Sequence, residues 1–330
     1  MNEFYIITLK ILKKIYSKIF GEYTCDILNK EENPNIASEI IIKHIDAEKP
    51  CMIARFGSTE LMALVNYTGV NSAKHSLKSF VKGKQPEWWW NKNIMKQMQE
   101  WSGFFPPTPE NMQKFGDLMM QDIKELDVLG SWINDEGRFV NELANIKLVH
   151  LRLLEPFWAK NPWTSYLKGK KVLIVHPFAN DILYQYTNKR NKLFANPNIL
   201  PEFASIRVIK AVQSLGGENN GFKDWFEALQ WMKDEIDKKD YDICLIGCGA
   251  YGFPLAAHVK RQGKKAIHLG GALQLLFGIK GKRWENPNYG VKEWGIPYGS
   301  YTSLINKYWI NPSKEGQPKN ADKVEGGCYW

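Results

Sequence analysis

Residues 241–276, YDICLIGCGAYGFPLAAHVKRQGKKAIHLGGALQLL, decide the fold. Residues 241–246 are an apolar run too short for a buried helix and preceded by a charged segment, which reads as a strand. Gly247, Gly249 and Gly252 then punctuate a turn. Pro254 falls in a first helical turn, where its missing amide would have gone unpaired anyway. The helix runs to about Arg261 and stops at Gly263; residues 265–269 make a second strand, followed by Gly270, Gly271 and another apolar helix. Strand, turn, helix and strand form a crossover, so the two strands are expected to be parallel, with their loops meeting at the carboxyl ends.

A glycine-rich turn of this kind lets a ligand approach bare backbone, with amides facing a phosphate at the helix start. The glycines also serve tight turns and close packing, and that reading stays open beside the first. The spacing is not the dinucleotide GxGxxG, and Leu269-Gly270-Gly271 stands where an acidic residue would hold a ribose, so an NAD site is not expected. Downstream, residues 277–284 form a glycine-hinged loop carrying Lys280, Lys282, Arg283 and Trp284. Gly247, Gly249, Tyr251, Gly270, Gly271, Lys280, Lys282 and Arg283 are therefore the candidate binding residues of this half.

The alternation continues upstream. Strands are expected near residues 51–56, 128–133, 146–151, 171–175 and within 200–212, with helices over 37–45, 61–66, 110–125 and 222–236. The fold class is α/β: a Rossmann-like, mostly parallel sheet with helices on both faces, plus an N-terminal amphipathic helix. Three parts are read. Residues 1–30 are an amphipathic membrane-surface or docking helix, and 31–165 the first part of the α/β unit, with a boundary near Pro162. Residues 166–330 are a Rossmann-like ligand-binding part whose end, after Trp284, is an irregular wrap with a short helix near 302–308 and a polar tail.

The chain has 330 residues, 44% of them hydrophobic, enough for a substantial core. A net charge of +9 favours an anionic partner such as a nucleotide or an acidic lipid surface. Nucleic acid is not expected, because the cations gather into no long stripe or recognition helix. Five scattered cysteines form neither a disulfide framework nor a zinc pattern and fit a reducing compartment. No secretory signal and no membrane-length span is seen. Residues 4–20, FYIITLKILKKIYSKIF, place Lys10, Lys13, Lys14 and Lys18 among apolar residues at helical spacing. Such a helix lies on an anionic membrane face, or docks on its own protein with the lysines in water.

Arg55 is a charge at the end of an apolar strand, which is costly unless it is paired or binds something. Ser58 or Thr59 is placed to cap the next helix, and Glu60 lies in its first turn, where capping and dipole effects alone would account for it. Asn134-Asp135-Glu136 follows another strand, and His176 ends a third, with Asp181 close behind it. His176 either faces the ligand edge of the sheet or bonds within its own turn. Trp88-Trp89-Trp90 cannot all face one core, so at least one is expected in a groove or interface.

The segment Arg-Phe-Gly-Ser-Thr-Glu at 55–60, with VLIVHPFANDI at 172–182 and CLIGCGAYGFPLAAHVKRQGKKAIHLGG at 244–271, resembles the GT-D-fold glycosyltransferases of bacteria. The resemblance covers most of residues 50–285. It implies a variant Rossmann-type fold and transfer of a sugar from a nucleotide donor, a UDP-sugar, during glycan assembly. In that family the first motif resembles Arg-Phe-Gly-Asp-Gly-Glu, whose Asp-x-Glu holds the donor diphosphate through a divalent ion. Arg55, Phe56, Gly57 and Glu60 match it, while Ser58 takes the aspartate place and Thr59 that of the second glycine. A hydroxyl is a poor ligand for Mn2+ or Mg2+ without a carboxylate beside it, so no metal ligands are assigned.

The resemblance makes Arg55, Gly57, Ser58 and His176 donor-binding candidates and Glu60, Asp135 and Asp181, in that order, candidates for the base. The membrane-surface reading of residues 4–20 suits a lipid-linked glycan acceptor, as in capsule or O-antigen assembly, and a protein peripheral to the cytoplasmic face of the membrane. An oligomer is compatible with all of this. The competing readings are a non-catalytic sugar-nucleotide-binding protein and a pyruvyl or phosphoryl transferase acting on surface glycans.

Overall fold

Strands buried on both faces read as short, continuous apolar runs, and those runs pair here as one sheet. A computed structural model describes residues 2–25, 28–215, 221–314 and 327–330. The first half contains α1 (Glu3–Phe20), α2 (Pro34–Asp46), β1 (Cys51–Ala54), α3 (Ser58–Val70), α4 (Leu77–Val81), α5 (Lys92–Ser102), α6 (Pro109–Asp122), β2 (Val128–Ser131) and β3 (Lys147–His150). The second contains β4 (Lys171–His176), α7 (Ala179–Leu193), β5 (Ser205–Lys210), α8 (Trp225–Asp237), β6 (Ile243–Ile246), α9 (Gly252–Arg261), β7 (Lys265–His268) and α10 (Leu273–Leu276). The strand order is β3-β2-β1-β7-β6-β4-β5, and each of these pairings is parallel.

The expected strands near 51, 172, 242 and 265 thus lie in a single sheet. Each side of Pro162 supplies a contiguous block, and the blocks join where Cys51, Met52 and Ile53 of β1 pair with Lys265, Ala266 and Ile267 of β7. Side chains alternate between two cores. Met52, Ala54, Leu129, Leu173, Cys244, Ile246 and Ala266 pack beneath α3, α6, α8 and α9. Ile53, Val128, Val172, Ile174, Leu245 and Ile267 pack against α2, α7, α10 and the C-terminal wrap, including Trp284, Tyr301 and Trp309.

Local chemistry sets the starts of several helices. Asn33 caps α2 ahead of Pro34, and Asp224 accepts from the Glu227 amide to cap α8. The cap of α3 differs from expectation: Gly57 holds that place in extended conformation, no side chain caps it, and Ser58 and Thr59 are already helical. The short helix expected near 302–308 is a single 3-10 turn, Thr302–Leu304. Most of the expected polar tail, residues 315–326, lies outside the described residues.

Asp127 ties the block junction from its amino end. Its Oδ2 accepts from the Met52 amide and from Lys260 Nζ of α9, each at 2.8 Å. Asp127→Ala leaves a buried amide without its acceptor and the partly covered Lys260 ammonium with the Glu125 carbonyl but no carboxylate, a loss of about 2–3 kcal/mol. In urea unfolding its midpoint should fall well below that of Asp240→Ala, which removes an exposed ion pair with Lys171. Matching midpoints would show that Asp127 ties nothing.

Candidate functional site

Parallel strands deliver their carboxyl ends to one edge, and a cleft of about 160 Å³ opens there. Arg55 and Gly57 reach it from the β1–α3 loop, Ser58 and Glu60 from the first turn of α3, His176 from β4, Gly247 and Gly249 after β6, and Gly270 and Gly271 after β7. Arg283 closes one side with Tyr329 and Trp330.

The glycines bring backbones close. A Cβ on Gly247 would lie 2.5 Å from the Gly270 carbonyl, and one on Gly270 would lie 2.9 Å from Arg55 Nε. Gly249 and Gly270 also hold φ of +56° and +61°, which favours glycine. The Glu60 carboxylate folds back over Gly57, so a side chain there would collide with it. Arg55 Nη1 donates to the Phe56 carbonyl at 3.0 Å, and Trp132 Nε1 reaches the same oxygen at 3.2 Å, linking the ends of β1 and β2. Arg55 Nε is buried without a hydrogen-bond partner among the described residues.

Two buried histidines face the cleft. His176 Nδ1 accepts from the Phe178 amide at 3.0 Å, which puts the ring proton on Nε2. His268 Nδ1 lies 3.2 Å from the Ile246 carbonyl and donates to it, leaving Nε2 as an acceptor. Burial pushes both down to about 3, with Arg55 adding to the shift at His268. Each ring is therefore neutral near pH 7, and the two present opposite hydrogen-bonding character. Burial also raises the Cys248 thiol in the same cleft, which keeps it protonated and unreactive.

A second cavity of about 660 Å³ shares Arg55, Trp132, Gly271, Arg283 and Tyr329 with the first. Its remaining wall includes Trp284, Tyr289, Trp294, His150 and Glu155. The Glu155 carboxyl accepts from the Tyr301 hydroxyl and Trp158 Nε1 at 2.9 Å each, and burial pushes it up to about 7.

Other residues singled out from the sequence fall elsewhere. Asp135 pairs with Arg138 at 2.7 Å in a separate cavity beside the end of α1. Its neighbour Glu136 is the buried one, accepting from the Ser131 hydroxyl and the Trp132 and Ile133 amides, with its carboxyl raised by burial. Asp181 accepts from the Ser313 amide at 2.9 Å and lines neither lobe of the cleft. Tyr251 turns inward, stacked on Trp225 with its hydroxyl 3.0 Å from Ser214 Oγ. Lys280 is paired with Glu285 at 2.8 Å, and exposed Lys282 lines neither lobe. Trp88 and Trp89 pack with Phe80 below α1, and none of the three consecutive tryptophans lines either lobe. Trp101 and Trp132 do.

No family model matches this chain, and no curated protein or solved structure matches it either. Among the described residues Glu60 is the one side-chain carboxylate lining the first cavity, with the Ser58 and Thr59 hydroxyls beside it and two arginines facing the same space. Among the described residues no three His, Cys, Asp or Glu side chains gather as a metal site. One carboxylate with two arginines and bare amides suits an anion better than a hard divalent cation.

His268 obeys the rule that singled out His176, a histidine at the carboxyl end of a buried strand, and was legible in the same way. Gln274, Tyr329 and Trp330 gave no local signal; Gln274 Nε2 donates to the carbonyls of Lys280 and Tyr329, at 3.2 Å each.

A histidine held near 3 when folded and near 6.5 when unfolded costs stability as pH falls between those values, since only the unfolded chain takes the proton. The slope is about 1.4 kcal/mol per pH unit per histidine. His176→Asn keeps an acceptor for the Phe178 amide and removes the titration. Urea unfolding at pH 7, 6 and 5 should show the variant gaining on wild type by roughly that slope. A pH-independent difference between them would mean that His176 is not held neutral.

Proposed function

We propose that the cleft binds a nucleotide-sugar, a UDP-sugar by class, and transfers its sugar to a glycan acceptor during bacterial surface polysaccharide assembly. The observation that carries this reading is Arg55: it lines both cavities, and its buried Nε has no hydrogen-bond partner among the described residues. A buried guanidinium donor without an acceptor is costly, and a bound diphosphate would supply one in bidentate geometry. The bare backbone at Gly247, Gly249 and Gly270 and the second cation, Arg283, fit the same anion. The resemblance of residues 55–60 to a donor-binding motif supports it independently.

In this reading the first cavity takes the diphosphate and the roomier, aromatic second cavity takes the glycan, whose apolar ring faces stack on tryptophan and tyrosine. The acceptor hydroxyl attacks the anomeric carbon as the bond from that carbon to the diphosphate oxygen breaks. Glu60 takes the hydroxyl proton, and the bonding pair leaves on the diphosphate. Arg55 and Arg283 offset the charge that develops there. The neutral histidines add hydrogen bonds without adding charge.

Ser58 favours a second reading, a sugar-nucleotide-binding protein without turnover, because it replaces the carboxylate of the resembling motif. Two measurements separate the readings. In calorimetry with UDP, Arg55→Ala should weaken binding by about 1–3 kcal/mol, the cost of a lost charged hydrogen bond, while Lys282→Ala leaves it unchanged. Equal affinities for wild type and Arg55→Ala would remove the anion from the site. In a transfer assay screened over UDP-sugars, Glu60→Gln should cut turnover by about 100-fold or more with its circular dichroism intact. Donor binding without transfer by wild type would favour the binding protein instead.

A further inference from the structure

Helix α1 is folded with its apolar stripe outward. At 3.6 residues per turn, Phe4, Ile7, Ile11, Leu12, Ile15 and Ile19 share one face, and all six are exposed, from 46% at Leu12 to 77% at Phe4. The opposite face meets the protein. Leu9 is buried there, Lys10 pairs with Glu87 at 3.4 Å, and the Lys13 ammonium sits 5.3 Å from the centre of the Phe80 ring. Burial holds the Lys13 ammonium below its ordinary value. Two of the four lysines that suggested an electrostatic membrane helix are thus spent on the protein's own surface. Lys14 and Lys18 remain exposed along one margin of the stripe.

Six large apolar side chains in a continuous exposed row are more than scattered surface hydrophobes. Their occupant is identified by charge. A second copy laid face to face would bring the Lys14–Lys18 margin near its own equivalent or leave it unmatched, in a chain already carrying +9. Lipid phosphates match that margin. No described helix is long and apolar enough to cross a membrane, so this one would lie in the interface plane.

We propose that α1 seats the protein on a phospholipid bilayer by inserting Phe4, Ile7, Ile11, Ile15 and Ile19 among the acyl chains, with Lys14 and Lys18 on the headgroup phosphates. Apolar insertion supplies most of the attachment, and charge tunes it. The proposal goes beyond the transfer reading and does not depend on what the cleft binds.

The test is sedimentation of the full chain with two kinds of vesicle, phosphatidylcholine alone and phosphatidylcholine mixed with phosphatidylglycerol. Wild type should bind both, more tightly the anionic one. The double variant Ile11→Asp, Ile15→Asp, at exposed positions that leave the core untouched, should lose at least tenfold in partitioning on both. Lys14→Ala with Lys18→Ala should lower binding to the anionic vesicles alone, and salt should mimic it. Failure of wild type to bind either vesicle, or equal binding by the aspartate variant, overturns the proposal. So does a lipid-free dimer in light scattering that Ile11→Asp, Ile15→Asp abolishes, which would assign the face to a second copy.

Discussion

The pairing of β1 with β7 is the contact on which the cleft depends. These strands are the first and last of the sheet in sequence, and their parallel register lays Ile53 beside Ile267. The chain just beyond each strand therefore emerges at the same edge. Arg55 follows β1 and Gly270 follows β7, so the guanidinium can lie against a residue with no side chain. A shift of one residue would turn every apolar side chain of β1 toward the wrong core and carry Arg55 away from the loop it packs on. Burial on both faces guards against that slip, since each strand must satisfy two cores at once.

Much of the fold was legible because parallel strands are short and apolar throughout, and glycines mark where they end. Seven strands follow from that pattern, including the short β3, whose first residue is exposed. The lateral order was not readable, because no local property of β1 says that its neighbours are β2 and β7. The orientation of α1 was also hidden: lysine and isoleucine alternate in a way that permits either face to turn inward. Glu87 and Phe80 on the folded surface decide it.

The candidate site divides along the same line. Residues at strand ends, such as Arg55, Glu60, His176 and the glycines, were found by position relative to a strand, which the sequence carries. Lys280 and Lys282 were chosen as part of a basic loop, and such a run does not reveal which member turns inward. Arg283 does, its guanidinium lying 4.6 Å from the Tyr329 ring centre, while Lys280 is held by Glu285. No local property of the sequence separates Asp135 from Glu136. The folded loop does, burying Glu136 as an acceptor for two amides and leaving Asp135 to Arg138. Tyr329 and Trp330 reach the cleft through long-range closure, which no window of sequence reports.

The contact between Gly247 and the Gly270 carbonyl has a consequence for recognition. Two loops that touch backbone to backbone have surrendered their conformational entropy during folding, so a ligand arriving at their amides has little left to freeze. Such a floor gains affinity from pre-organisation and loses adaptability by the same measure. Discrimination among ligands would then come from shape rejected by unyielding backbone, with the softer, aromatic second cavity left to accommodate variety.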